Sequence, residues 1–353
     1  MRLLAAKIIL AALPIVAMAS VNYVVDPANL FRHGIEERMA AGLLAGQSEP
    51  YVQNYDERLV QQSYVQKVRE SADVIVFGSS RAMQVRSAMF PGRSMFNHAV
   101  SGATVEDFLA IVGGYDRRGL LPRQVVFECD PWLLNEHNGQ QRWRSIAADF
   151  DYMSRRLGLT AGWAPLVSRR TAGKYFQLLS PGYFQEALRH FSANRSEQPS
   201  EGADTQVLLP DGSILYPTIF RERTTAEARA EARRALAGPI YSLSGFDALD
   251  PNAIRALDAL VDYYQRGNVK VSIVLIPYHP VVFSALQSQE QYQLVSASEA
   301  YFRKLAASRH LPLAGSYDPV LSGCDETEFF DGMHPNDRCA GRIIAGLDGL
   351  GRP

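Results

Sequence analysis

Two short stretches of this chain carry side chains that could do chemistry together. Near the C-terminus "FFDGMHPNDRCAG" holds Asp331 and His334 three residues apart, among the Gly, Pro and Asn that also build ordinary polar turns. An imidazole titrates near pH ~6.5, so it can take up and return a proton at neutral pH, and a neighbouring carboxylate can hold it in one tautomer. Such a pair needs a nucleophile. "ADVIVFGSSRA" places Ser79 and Ser80 directly after an apolar run, where a strand gives way to a helical turn. A serine hydroxyl becomes an effective nucleophile when a base removes its proton, and free N–H groups at a helix start can stabilise an oxyanion. Serine is also a common N-cap, so the stretch is equally suited to a purely structural turn. "HAVSGAT" contributes Gly102, whose N–H could serve beside that of Ser80 as a second oxyanion donor.

The elements around these motifs alternate. The apolar run Val74 to Phe77 and the stretches "SMFNHAVSGAT", "PRQVVFECDPWLL", "NVKVSIVLIPYHP" and "LPLAGSYDP" each read as holding a short buried strand. Between them lie helical patterns, among them "TVEDFLAIVGGY", "DPNAIRALDALVDYYQRG" and "SASEAYFRKLAASRH". Such alternation predicts an α/β fold with a mostly parallel sheet, and ligands in open α/β sheets bind at the carboxyl ends of the strands. Ser80, Gly102, Asp130, His279, Asp331 and His334 mostly fall at such ends. The rhythm breaks from about 135 to 240, which reads as an inserted cap. Within it "VLLPDGSILYP" predicts a hairpin turning at Asp211-Gly212, so its hydrolase-like "DGS" is a decoy. "TTAEARAEARRALAG" predicts a polar helix. Trp143, Trp163, Tyr175, Phe176, Tyr183 and Phe184 of the insertion suit either sugar stacking or a core, and the triplet Asn194-Arg195-Ser196 carries no weight.

With 353 residues, 47% hydrophobic and 21% charged, the chain has a globular composition and ample length for a core. Its 36 Lys and Arg balance 37 Asp and Glu, and it has no zinc-type Cys pattern, Walker loop or dinucleotide fingerprint, which argues against a nucleic-acid partner. Residues 1–25 differ: Arg2 and Lys7 precede an uncharged apolar run from Ile8 to Val25, near the lower end of the roughly 17–25 residues that span a bilayer. This predicts a membrane helix with an extracytoplasmic body, or a cleaved signal if Ala17-Met18-Ala19 is processed. Residues 26–65 read as a juxtamembrane connector with one or two short helices, and 66–350 as the main domain. In an oxidising compartment Cys324 and Cys339 could bridge around Asp331 and His334, or remain two buried thiols; Cys129 reads as core.

The order strand-Gly-Ser-Ser, small-residue loop with Gly, then Asp-x-x-His-Pro after the last strand resembles the SGNH (GDSL-type) hydrolase superfamily over 66–135 and 245–350. That resemblance implies a three-layer α/β/α flavodoxin-like fold, with Ser80 as nucleophile, Ser79 where an Asp is usual, Ser80 and Gly102 as oxyanion donors, and Asp331 and His334 as the terminal dyad. One block departs: where the superfamily often has Gly-x-Asn-Asp, this chain has "ECDPW". The apolar N-terminus, "NYVVDPANLF" and "IPYHP" look like membrane-anchored, extracytoplasmic SGNH-like proteins of cell-envelope polysaccharide O-acylation, including alginate-type O-acetylation and D-alanyl-transfer proteins. The implied activity is acyl transfer to or from a polysaccharide through an acyl-serine, without a cofactor. The implied location is the periplasmic face of the inner membrane, with a membrane acyl-delivery partner. Arg81, Asp130 and His279 are further candidates for substrate contact. The alternatives are a catalytically idle envelope scaffold or polysaccharide-binding protein, and a metallohydrolase using Asp130, His279, Asp331 and His334, for which no metal-ligand spacing is recognisable.

Overall fold

A computed structural model describes residues 2–25, 34–50, 55–159, parts of 177–188, and 204–349. Trp163, Tyr175, Phe176, Tyr183 and the triplet 194–196 lie outside them. The body is α/β. Its main sheet has five strands, β2 (Val74–Phe77), β3 (Met95–Asn97), β4 (Gln124–Glu128), β7 (Lys270–Leu275) and β8 (Leu313–Gly315), in the order β3-β2-β4-β7-β8. Every pairing in it is parallel, with Val76 opposite Val126 and Phe127 opposite Ile273. β2 and β4 are buried at every residue, as their unbroken apolar runs require of strands covered on both faces. Because all five run the same way, their carboxyl ends lie along one edge of the sheet.

Local sequence sets the helices between them. α4 (Val105–Arg117) starts at Thr104 with a capping box closed by Asp107. Asp107 also holds Arg58 of α3 (Glu57–Lys67) through two bonds of 2.9 and 3.0 Å. Arg58 is 1% exposed, so the last part of the segment read as a connector belongs to the packed body. Along the rest of the chain, α8 (Pro251–Arg266) leads into β7, α9 (Pro280–Ser288) and α10 (Gln293–Arg309) connect β7 to β8, and α11 (Asp337–Gly349) packs on β8. Helix labels α5, α6 and α7 denote Ala147–Arg156, Thr218–Arg221 and Thr225–Ala235 of the inserted region. The hairpin there forms: β5 (Val207–Leu208) pairs with β6 (Ile214–Leu215), Gly212 turns it at φ +78, and β5 also pairs with β1 (Glu49–Pro50).

Arg2–Val25 forms a 24-residue helix, α1, preceding α2 (Ile35–Leu44). Most side chains before Ala12 lie outside the description, and among the described residues no helix is long and apolar enough to cross a membrane. The expectation of an anchor rests on the sequence.

Candidate active site

Ser80 lies three residues beyond the end of β2, in a 3-10 turn, Ser80–Ala82. The two serines take different jobs. Ser79 is buried; its Oγ accepts the Arg81 N–H at 3.1 Å and caps the turn. Ser80 is partly exposed, and its Oγ lies 3.0 Å from His334 Nε2. On the other edge of the ring, Nδ1 lies 3.0 and 2.9 Å from the two oxygens of Asp331. A carboxylate only accepts, so Nδ1 carries the hydrogen and Nε2 is left to accept from the Ser80 hydroxyl. Asp331 Oδ1 also accepts the N–H groups of Met333 at 2.7 Å and His334 at 2.9 Å, which ties the whole loop to the carboxylate. Burial pushes the Asp331 carboxyl upward, but the His334 ring and these hydrogen bonds outweigh it and hold the group well below its ordinary range.

The loop is braced from several sides. Cys324 and Cys339 form a disulfide with 5.5 Å between their Cα atoms, closing the segment that contains Asp331 and His334. His279 N–H donates to Gly332 O at 3.1 Å, and a Cβ on Gly332 would fall 2.8 Å from Val282 and 3.3 Å from Ala232 of α7. Arg223 donates to Phe330 O at 2.9 Å, and the Tyr216 ring meets Phe330 edge-on, so the insertion flanks the loop.

Gly102 stands beside the serine turn. The chain after β3 runs along the end of β2, with Val100 N–H donating to Gly78 O at 3.0 Å, and Gly102 and Ser80 each follow two residues later. α3 fixes this loop: Ser101 Oγ donates to Glu57 at 2.7 Å, and Arg58 donates to Ser101 O at 3.0 Å. Gly102 has φ +56, in the left-handed region, and a Cβ there would sit 2.0 Å from Tyr241 Oη and 2.8 Å from Arg142 Nη2. Glycine is required on both grounds. Among the described residues, the N–H groups of Ser80 and Gly102 donate to no other group.

The remaining candidates do not face a ligand. Arg81 and Asp130 are 0% and 1% exposed and paired with each other. Arg81 also donates from Nε to Met333 O at 3.0 Å and from Nη2 to Pro277 O at 2.8 Å, and its guanidinium stacks 4.0 Å from the Tyr278 ring centroid. Both residues are therefore internal braces, removed from substrate by burial. His279 Nδ1 accepts the Val281 N–H at 3.1 Å, capping α9, and the residue is fully buried. Among the described residues no group of three His, Cys, Asp or Glu side chains could hold a metal ion. Sequence reasoning missed Glu128, the last residue of β4, whose Oε2 accepts the Ser79 N–H at 2.9 Å. An acidic residue ending an otherwise apolar strand was the available signal.

Compared with known proteins, the chain matches no family model and no curated protein sequence.

Proposed function

We propose that this chain is a serine-dependent acyl enzyme of the SGNH type, passing acetyl groups to or from a cell-envelope polysaccharide through an acyl-Ser80 intermediate. The observation that carries the reading is the continuous relay from Ser80 Oγ through His334 to Asp331, with contacts of 3.0 and 2.9 Å. The main sheet's strand order, second-first-third-fourth-fifth in chain order, is that of flavodoxin-like folds and supports the same reading.

In the first half-reaction Ser80 Oγ attacks the acyl carbonyl while its proton moves to His334 Nε2. The carbonyl oxygen becomes an oxyanion, for which the uncommitted N–H groups of Ser80 and Gly102 are the available donors. Asp331 stabilises the imidazolium and keeps its orientation. The tetrahedral centre collapses, His334 gives the proton to the departing alkoxide, and the acyl-serine remains. A sugar hydroxyl or water then attacks by the reverse sequence, with His334 as base and then acid. Asp130, locked to Arg81, takes no part in binding the oxyanion. The apolar N-terminal run supports placing this body outside the cytoplasm on a membrane tether, where a membrane protein would deliver the acyl group.

The test is nitrophenol release from p-nitrophenyl acetate by the full chain in mild detergent, with and without an acetyl-accepting oligosaccharide. Release that depends on Ser80 and His334, with acetylated sugar among the products, is expected. Equal release by Ser80→Ala and wild type refutes the proposal.

A further inference from the structure

Glu128 and Asp130 take no direct part in the steps above, yet they lie beneath the nucleophile. They are two residues apart at the end of β4, so they point to the same side, and each is 1% exposed. Glu128 Oε2 accepts the Ser79 N–H and Asp130 Oδ1 accepts from Arg81. Their other oxygens, Glu128 Oε1 and Asp130 Oδ2, are buried without a hydrogen-bond donor, two orphaned acceptors on neighbouring carboxyls. Arg81 is the cation that faces them. Their other titratable neighbours are Cys129 just beyond β4, Tyr278 beyond β7 and Tyr317 beyond β8, none of which supplies a positive charge. Two ionised carboxylates against one guanidinium would leave a net negative charge and two unsatisfied acceptors in a dry interior. One proton held by the pair removes both problems. Burial and then Asp130 push the Glu128 carboxyl far above its usual range, against the pull of Arg81.

We infer that Glu128 and Asp130 share one proton, and that the neutral Glu128 carboxyl is a positioning residue for the nucleophile turn. The second half of this rests on the reading of Ser80 as nucleophile. Glu128 grips the turn by the Ser79 N–H and packs so closely that a Cβ on Gly78 would fall 2.8 Å from both Glu128 Cβ and Oε2. Asp130 holds Arg81, which reaches on to Met333 O beside His334. One buried unit thus joins the serine turn to the histidine loop. Its neutrality has a chemical consequence: an unbalanced negative charge beneath Ser80 would oppose the oxyanion that forms there.

Glu128→Gln separates proton from charge, because an amide keeps the acceptor for Ser79, offers N–H to Asp130 and does not titrate. In the unfolded chain Glu128 ionises near pH ~4.3, whereas the folded pair keeps its proton, so wild-type stability falls as pH rises through that point. In urea titrations of the full chain in detergent, the ratio of the wild-type unfolding constant to that of Glu128→Gln should grow as pH rises above about 5, by up to about tenfold per pH unit. A fluorophosphonate probe should label Ser80 at the wild-type rate in Glu128→Gln and more slowly in Glu128→Ala, with the conservative variant's pH profile overlying that of wild type. A pH-independent ratio means Glu128 is ionised in the folded protein and overturns the shared proton. Folded Glu128→Gln that labels slowly, or Glu128→Ala that labels normally, overturns the positioning role. Should wild type itself fail to label, the Ser80 reading and the positioning role fall, while the stability ratio still decides the shared proton.

Discussion

Replacing Asp331 with Asn changes the chemistry of the relay while keeping most of the loop's bonds. The Asn carbonyl can still accept the Met333 and His334 N–H groups that Asp331 Oδ1 holds at 2.7 and 2.9 Å. The amide nitrogen then stands where Oδ2 was, 2.9 Å from His334 Nδ1, and presents a donor there, while the carbonyl left 3.0 Å from Nδ1 is already committed to two backbone N–H groups. The imidazole answers by moving its hydrogen to Nε2. That nitrogen now points a hydrogen at Ser80 Oγ and cannot take the serine's proton. Losing the base by tautomer alone costs about 10⁴ in rate, or about 5.4 kcal/mol at about 1.36 kcal/mol per factor of ten. Asp331→Ala loses the same base orientation and also strands two backbone N–H groups, at about 1–3 kcal/mol of stability for each if buried. The assay is fluorophosphonate labelling of Ser80 beside thermal unfolding of both variants. The account expects slow labelling in both and the larger loss of stability in Asp331→Ala. Asp331→Asn labelling within about tenfold of wild type would refute the tautomer argument.

Gly102→Ala places an L-residue at φ +56, costing about 1–2 kcal/mol, and drives its methyl into Tyr241 Oη. Labelling of Ser80 should slow, and Tyr241→Phe in the same chain should recover part of the loss. Opening the Cys324–Cys339 bridge by Cys→Ser at both positions releases a loop spanning 15 residues, worth about 3 kcal/mol in a chemical unfolding curve. Arg81→Met leaves Asp130 buried without its cation and should cost about 3–5 kcal/mol, recovered in part by adding Asp130→Asn, as read by urea midpoints. The depressed Asp331 carboxyl binds fewer protons folded than unfolded, so its contribution is complete above about pH 4 and is lost as pH falls below that. Asp331→Asn should therefore flatten part of the acid limb of a stability profile, and an unchanged limb would count against the depressed value.

The parts of this protein that local sequence specifies were legible in it. Val74–Phe77 and Lys270–Leu275 are short apolar runs between turn residues, a pattern that a buried parallel strand produces by itself. Thr104, Thr224 and the Asp211-Gly212 turn act within a few residues of themselves, so α4, α7 and the hairpin could be placed. His334 with Asp331 was visible for the same reason, being a contact three residues long. Its link to Ser80 was readable only as motif order. The braces were not legible. Arg81 looked like a basic residue next to a serine, yet its bonds go to Asp130, Pro277 and Met333, which only the sheet brings together. Glu128 reads as the end of a strand until Ser79 is seen above it. Arg58 lay in a polar stretch whose burial depends on Asp107 across the α3–α4 contact. The closure of Gly102 by Tyr241 and Arg142 joins an insertion to a loop that no spacing connects.

The most direct test of the central claim is to trap the acyl-enzyme. The full chain, quenched in acid during turnover of p-nitrophenyl acetate, would be digested and mapped by mass spectrometry beside Ser80→Ala and His334→Ala. The account predicts one acetyl group on Ser80 in the wild type and none at that peptide in either variant. Acetylation of Ser80 that persists in His334→Ala, or turnover of the ester with Ser80 never modified, would contradict it.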